Sequence, residues 1–282
     1  MNSMQNRIIL SHVTRRIVNN KNALILVVGE TGSGKSYGAV RASEKICEIF
    51  DLDAFSIDWL EFDVCKIMEM FEKKNEQGQC IIADEIGVAM GAREWQSKAN
   101  KLMSYAAQTI RYKQHIIFFT VPNLSFVDVH LRKLFHYIMR PVSINMANKT
   151  VRCSFKMLEV GRNINDKQGK LYEKYIRYKQ KDKKFKIAGH LDLSLPTPEN
   201  VKVYEKKKQA WSQKLYRDAI EELNPKLKIN EISEREKRIK SSREVRGKSF
   251  KDISEYENLS KERVRQIYRN INGQMTNLVT SM

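Results

Sequence analysis

Two short stretches carry the residue types that phosphate chemistry needs. Gly29-Glu30-Thr31-Gly32-Ser33-Gly34-Lys35-Ser36 satisfies every fixed position of the pattern G-x-x-x-x-G-K-[ST]. Its glycines let backbone N–H groups turn inward as an anion nest. Lys35 would place a point charge on the outer phosphates of a nucleotide, and the Ser36 hydroxyl is a ligand for Mg²⁺. Tyr37 follows directly and is grouped with the loop as part of the ATP-binding segment. The second stretch, residues 79–85, is an apolar run that ends in two carboxylates, Asp84 and Glu85. An acid at such a strand end holds Mg²⁺, which assigns the metal to Ser36 and Asp84. Glu85 is placed to orient and deprotonate an attacking water. The plainer alternative for this acidic pair is the start of a solvated loop.

These residues require particular elements around them. Residues 23–28, Ala-Leu-Ile-Leu-Val-Val, form a short apolar run with the branched content of a buried parallel strand. Ala39, Ala42, Ile46 and Ile49 recur at helical spacing, so the glycine loop opens a helix whose N-terminus favours anions. Residues 7–18 read as an amphipathic helix beside the first strand, 54–57 as a short strand, and 62–74 as a helix. Trp95, Ala99, Leu102, Met103, Ala106 and Ile110 place a helix over 94–112. Residues 115–120 form a further strand, with Thr120 at the carboxyl end, where open α/β sheets place ligands. An apolar segment follows at 134–139. The alternation predicts a doubly wound, mainly parallel sheet.

The sequence order GETGSGKS, CIIADE, a helix ending in TIR, and HIIFFT before a D-x-x-x-R segment resembles the FtsK/HerA branch of P-loop motor ATPases. Within that branch it is most similar to the Zot-like and viral DNA-packaging members. The resemblance spans residues 20–145 and implies Mg²⁺-dependent ATP hydrolysis with catalytic Lys35 and Glu85. In the branch, the strand corresponding to residues 115–120 ends Thr-Gln, and the Gln senses the γ-phosphate. This chain has Thr120-Val121-Pro122, so that sensor is missing or replaced by Thr120 or Asn123. The resemblance also implies a ring in which a neighbour's arginine completes each site, with Arg111 first and Arg132 second in line.

Beyond this core the charge changes. Residues 151–157 alternate apolar and polar as a strand with one basic face, and 171–178 are expected to return as its partner. From 149 to 186 there are thirteen basic residues against four acidic ones, with Tyr172, Tyr175 and Tyr178 among them. Such a surface can neutralise phosphates and stack bases; a lysine-rich edge that discourages sheet-to-sheet pairing is the alternative. Thr197 and Pro198 suit the start of a helix carrying Val201, Tyr204, Trp211, Leu215 and Ala219, which packs back on the core.

The last fifty residues read as a separate module. Ser233 to Glu236 form a capping box, and Ser249 with Asp252 and then Ser260 open two further helices. GKSFKDISEYENLSKERVRQIYRNI resembles the C-terminal helix-turn-helix of bacterial sigma factors and resolvase-type domains. Ile253, Ser260, Val264 and Ile267 stand at matching positions, and Asn258 takes the turn residue usually filled by glycine. The exposed face of the last helix offers Lys261, Arg263, Arg265, Gln266 and Arg269 as DNA contacts, because Arg reads guanine edges and Gln adenine edges. A basic three-helix bundle used for oligomerisation is the alternative.

The domains expected are 1–146, a P-loop ATPase core; 147–223, an antiparallel basic extension and packing helix; 224–232, a linker; and 233–282, a small all-α helix-turn-helix domain. A formal net charge of +18, from 51 basic and 33 acidic residues, points to a polyanionic partner, first double-stranded DNA. No run approaches the eighteen or so apolar residues of a spanning helix. Four scattered cysteines without a C-x-x-C pair argue against a metal cluster and read as small core residues of a cytoplasmic protein. The reading is a homo-oligomeric, ATP-driven DNA motor that packages or mobilises a viral or plasmid genome. The alternatives are a nucleotide-gated DNA-binding regulator or replication initiator, and a Zot-like assembly ATPase at a membrane.

Overall fold

The computed structural model describes residues 2–51, 55–73, 77–85, 101, 104–105, 110–161, 170–179, 185–223 and 234–269. Five strands make a parallel core: β1 (Ala23–Val28), β2 (Leu60–Glu61), β3 (Cys80–Ala83), β4 (Ile116–Val121) and β5 (Tyr137–Asn145). Their spatial order is β5-β1-β4-β3-β2, with every neighbouring pair parallel. β6 (Thr150–Val160) then returns antiparallel on β5. On β6 are laid β7 (Leu171–Lys174) and β10 (His190–Ser194), both antiparallel. β8 (Ile176–Lys179) and β9 (Phe185–Ala188) pair only with each other.

The central strands β1, β3 and β4 are apolar at every position but Thr120, because both sheet faces are covered. Ala23, Ile25 and Val27 of β1 enter one core with Ile116 and Phe118 of β4. The alternate residues Leu24, Leu26 and Val28 enter a second core with Ile117, Phe119 and Val121. Helices α1 (Asn2–Val18) and α2 (Lys35–Phe50) contribute to the first core. In α1 the contribution comes from Ile9, Val13 and Ile17, spaced by four residues, so this helix is a core element that begins earlier than residue 7. Helix α3 (Val64–Glu72) serves the second core through Ile67, Met70 and Phe71. A mostly parallel sheet with helices on both faces is a doubly wound α/β architecture. Among the described residues, no helix is long and apolar enough to cross a membrane.

Several local expectations are corrected. Residues 55–56 are irregular and Ile57–Trp59 form a 3-10 turn, with the Ser56 hydroxyl accepting from the Asp58 N–H. The apolar Phe55 and Ile57 there are buried as plugs, not paired as a strand. Helix α3 starts at Val64 because the Asp63 carboxylate caps the N–H groups of Cys65 and Lys66. The segment expected to be one returning strand divides at Tyr175: its first half pairs with β6 and its second with β9. Cys65 is exposed, whereas Cys47, Cys80 and Cys153 are buried. In the stretch read as a helix over 94–112, Lys101, Ser104 and Tyr105 are helical and Ile110–Lys113 form a 3-10 turn. The rest of that stretch lies outside the described residues, as do the linker 224–232 and the cap at Ser233.

The chain divides into two compact units, Met1–Trp211 and Ser212–Met282. Helix α4 (Pro198–Leu223) buries Tyr204 in the first core, while Ala219 farther along is exposed, so the packing stripe ends early. The second unit holds α5 (Glu234–Glu244), α6 (Phe250–Glu257) and α7 (residues 261–269) around Ile239, Ile253 and Val264. Ser249 and Asp252 form a reciprocal capping box at the start of α6. Asn258 ends that helix at φ 54°, the left-handed turn that asparagine tolerates.

Candidate functional site

Three parallel strands end side by side at one edge of the sheet, and their register decides which side chains meet. Val28 and Val121 are paired in β1 and β4, and the Gly29 N–H then donates to the Val121 carbonyl at 3.3 Å. Ala83 of β3 is opposite Phe119 of β4, so the following residues, Asp84 and Thr120, fall together. β4 thus lies between the strand that feeds the glycine loop and the strand that ends in the carboxylates.

The loop has the backbone its glycines predict. Gly32 and Gly34 have φ of 80° and 86°, the left-handed region where a side chain is strained. A Cβ on Gly29 would meet Ser33 Oγ at 2.7 Å, so the loop also needs glycine for space. Gly34 stands at the N-cap of α2 and provides no side-chain cap. Ser33 Oγ is buried without a hydrogen-bond partner. Uncapped N–H groups, an unsatisfied buried hydroxyl and a helix N-terminus make a cradle suited to an anion. Lys35 is nearly buried, and its Nζ donates to the Glu30 carbonyl at 2.7 Å. Burial lowers its pKa; Asp84 and Glu85 oppose that shift, and Lys208 adds to it.

Asp84 is fully buried. Its Oδ1 accepts from Ser36 Oγ at 2.9 Å and Thr120 Oγ1 at 2.6 Å, and its Oδ2 accepts from the Tyr204 hydroxyl at 3.0 Å. All three donors are neutral, and burial pushes the carboxyl pKa up despite the Thr120 and Ser36 hydrogen bonds. A buried carboxylate solvated only by hydroxyls is relieved by a cation. Ser36 and Asp84 therefore fit Mg²⁺ by donor chemistry. Glu85 adopts φ 47°, a left-handed conformation uncommon for this residue type and found at functional sites. Its N–H donates to Thr120 Oγ1 at 2.8 Å, so one threonine fixes both acids. The Glu85 carboxylate pairs with Lys208 Nζ at 2.8 Å.

From the sequence Tyr204 was read only as a packing residue, and Lys208 was not singled out. Both come from α4, one turn apart on one face. The helix start is fixed by Glu44 of α2, whose Oε1 accepts from the Thr197 N–H, the Thr197 hydroxyl and the Asn200 amide at 2.8–3.0 Å. Burial raises the Glu44 pKa, but those bonds and the one from Arg41 outweigh it and hold the carboxyl below its usual range. Lys207 pairs with Glu61 at 2.8 Å, and Trp211 stacks on Phe62 with centroids 4.8 Å apart. Tyr37 donates to Glu205 at 2.7 Å and meets the Tyr204 ring edge-on. Its own hydroxyl pKa rises to about 12, first through burial. Beside Gly34 and Tyr37 lies an apolar cavity of about 250 Å³, walled by Ile144, Val151 and Leu193.

The Tyr204 hydroxyl can be tested alone. Tyr204→Phe keeps the ring against Tyr37 and Phe62 but removes one of three donors to a buried acid. The expected loss is about 1–3 kcal/mol, the cost of an under-satisfied buried acceptor. Urea unfolding of both proteins measures it, and an unchanged midpoint would show that the hydroxyl is dispensable.

The remaining candidates are placed as follows. Thr120 sits on Asp84, as described, while Asn123 is exposed and caps the Ser125 N–H. Arg132 donates to the carbonyls of Val127 at 3.0 Å and Leu124 at 2.9 Å, which ties it to its own loop. The Arg111 side chain lies outside the described residues. Lys261, Arg263, Arg265, Gln266 and Arg269 are all exposed on α7, with Arg263 donating to Gln266 at 2.9 Å.

The basic tract is more neutral than its composition suggests. Arg152 pairs with Asp192, Lys156 and Arg140 with Glu173, and Lys174 with Glu159. Lys156 lies over the Tyr175 ring and Lys170 over Tyr172, so these rings already face cations of the chain. A groove of about 720 Å³ between α1 and β8 collects Arg7, Arg15, Arg177 and Lys179. There, burial and the charges of Arg15 and Arg16 push the His12 pKa down.

No family model matches the chain, and neither does any curated protein. Among solved structures it is similar to the N-terminal domain of zonular occludens toxin from Neisseria meningitidis. That match has 22% identity, 48% of this chain, 83% of that one and a TM-score of 0.33. It is also similar to a KaiC-like protein from Pyrococcus horikoshii, at 10% identity over 59% of this chain and 90% of that one, with a TM-score of 0.30. At these values the likeness concerns the fold alone, and function has to be read from the site.

Proposed function

We propose that the chain is a Mg²⁺-dependent ATPase that acts on DNA. The observation carrying the nucleotide half is the convergence of Ser36 and Thr120 on one buried acid, with Glu85 fixed beside it under an anion-ready loop. In this reading the loop N–H groups and Lys35 bind the β- and γ-phosphates. Ser36 and Asp84 hold Mg²⁺, which would supply charge neutralisation on the phosphate oxygens. Glu85 accepts a proton from the attacking water as its oxygen bonds to the γ-phosphorus, and ADP is the leaving group. Thr120 keeps Asp84 and Glu85 in register through reaction. The apolar cavity beside Gly34 and Tyr37 offers a surface for the base.

The DNA half rests on the +18 charge, the cationic groove along α1, and the exposed Arg and Gln side chains of α7. We favour a motor that packages or mobilises a genome, working as a homo-oligomer with Arg111 acting on a neighbour's site. A nucleotide-gated regulator is the second reading, favoured by the absence of Gln after Thr120.

Turnover of the full chain with and without duplex DNA tests the pair. Stimulation is expected, and it should fall steeply with added salt because phosphate neutralisation releases counterions. Removing residues 231–282 should abolish preference for one sequence yet retain stimulation by any DNA. Loss of all DNA response in that truncation would favour the regulator. No response in the full chain would remove DNA from the reading.

A further inference from the structure

We infer that Lys208, supplied by the chain's own helix α4, is a cation that reads the γ-phosphate. The inference rests on the ATPase reading above and specifies how that site tells ATP from ADP.

Four charged groups meet at the strand ends: Lys35, Lys208, Asp84 and Glu85. Lys208 Nζ is 2.8 Å from Glu85 Oε1, and its charge is felt at both Lys35 and Asp84. Two cations face two anions, so the cluster is balanced before any phosphate enters. A general base acts within hydrogen-bond reach of the water it deprotonates. A cation resting on that base is therefore within a short swing of the phosphate the water attacks.

The helix carrying Lys208 is built to hold it there. Glu44 anchors the helix start, Lys207 is committed to Glu61, and Tyr204 one turn earlier rests on Asp84. Lys208 is the neighbour of Lys207 that points into the site, a third exposed along its side chain. Arg132 is not available for this role in its own site, being bound to Leu124 and Val127.

Entry of a γ-phosphate adds negative charge to a balanced cluster. Lys35 and the loop bind the β-phosphate in either nucleotide, so Lys208 is the group free to respond. By moving from Glu85 to a γ-oxygen it satisfies the new charge and releases the carboxylate to take a proton. ADP has no γ-oxygen, and with ADP the Glu85–Lys208 pair stays closed. Contact with the Tyr204 ring, 5.7 Å from Nζ, is the purely packing role that the test must separate.

The test is equilibrium binding of a fluorescent ADP and a fluorescent non-hydrolysable ATP analogue, with Mg²⁺, to the full chain, Lys208→Ala and Lys208→Gln. Lys208→Gln keeps part of the stem over Tyr204 and a polar end, and removes the charge. Both variants are expected to lose triphosphate affinity about tenfold to hundredfold, the worth of a charge-assisted hydrogen bond, while ADP affinity stays within about twofold. Lys208→Arg should recover most of the loss. Equal affinity for both nucleotides relative to the parent, or an equal fall for both, overturns the inference and leaves Lys208 as a packing residue. A parent chain that binds neither nucleotide overturns the ATPase reading itself, a distinct result.

Discussion

Lys35→Ala is expected to abolish nucleotide binding while leaving the protein at least as stable as the parent. The ammonium is nearly buried and donates to a backbone carbonyl, that of Glu30. Burial lowers its pKa, which says that the charged form is held at a cost in this state. Removing it therefore relieves a desolvation penalty and takes away the point charge meant for the β- and γ-phosphates. The two effects have opposite signs and can be measured separately. Calorimetric titration with Mg²⁺–ATP should show no binding, while thermal unfolding should show a midpoint unchanged or raised. Parent-like affinity in this variant would count against the whole phosphate-loop assignment. A large fall in stability would show that Lys35 is a structural residue instead.

Glu85→Gln is the second large effect. The substitution keeps side-chain length, and the backbone at φ 47° stays pinned by the Glu85 N–H on Thr120. Mg²⁺–ATP binding should survive, because Ser36, Asp84 and Lys35 are untouched. Turnover should fall by about 10²–10⁴-fold, the usual contribution of a positioned general base. Steady-state phosphate release measures this directly, and parent-rate hydrolysis would remove Glu85 from the mechanism. Asp84→Asn separates the neighbouring role, since it should weaken the dependence on Mg²⁺ concentration itself.

What could be read from the chain followed the range of the interactions involved. The loop at 29–36 and the acids at 84–85 are each contiguous, so residue type and spacing were enough to propose their chemistry. The central strands were legible because burial on both faces makes Ala23–Val28 and Ile116–Phe119 apolar without interruption. Residues 54–57 misled for the same reason, since burying Phe55 and Ile57 needs apolar types whether or not a strand forms. The pairing of Arg152 with Asp192 depends on the register of β6 against β10, which no local pattern encodes. Tyr204 and Lys208 were hidden differently. On a helix rich in lysine, an aromatic at helical spacing looks like packing, and only the folded sheet brings it to an acid 120 positions away.

The Glu44 contact has a mechanical consequence. Gly34 opens α2, Glu44 near its other end grips Thr197 and Asn200, and α4 then returns through Tyr204 to Asp84, which Ser36 joins back to α2. Loop, rod, hinge and return arm make a closed linkage, like the members of a braced frame. None of the four can be displaced alone without stretching a hydrogen bond in another. A push delivered at the phosphate end is therefore felt at the metal end by two routes, directly through Ser36 and the long way round through Glu44.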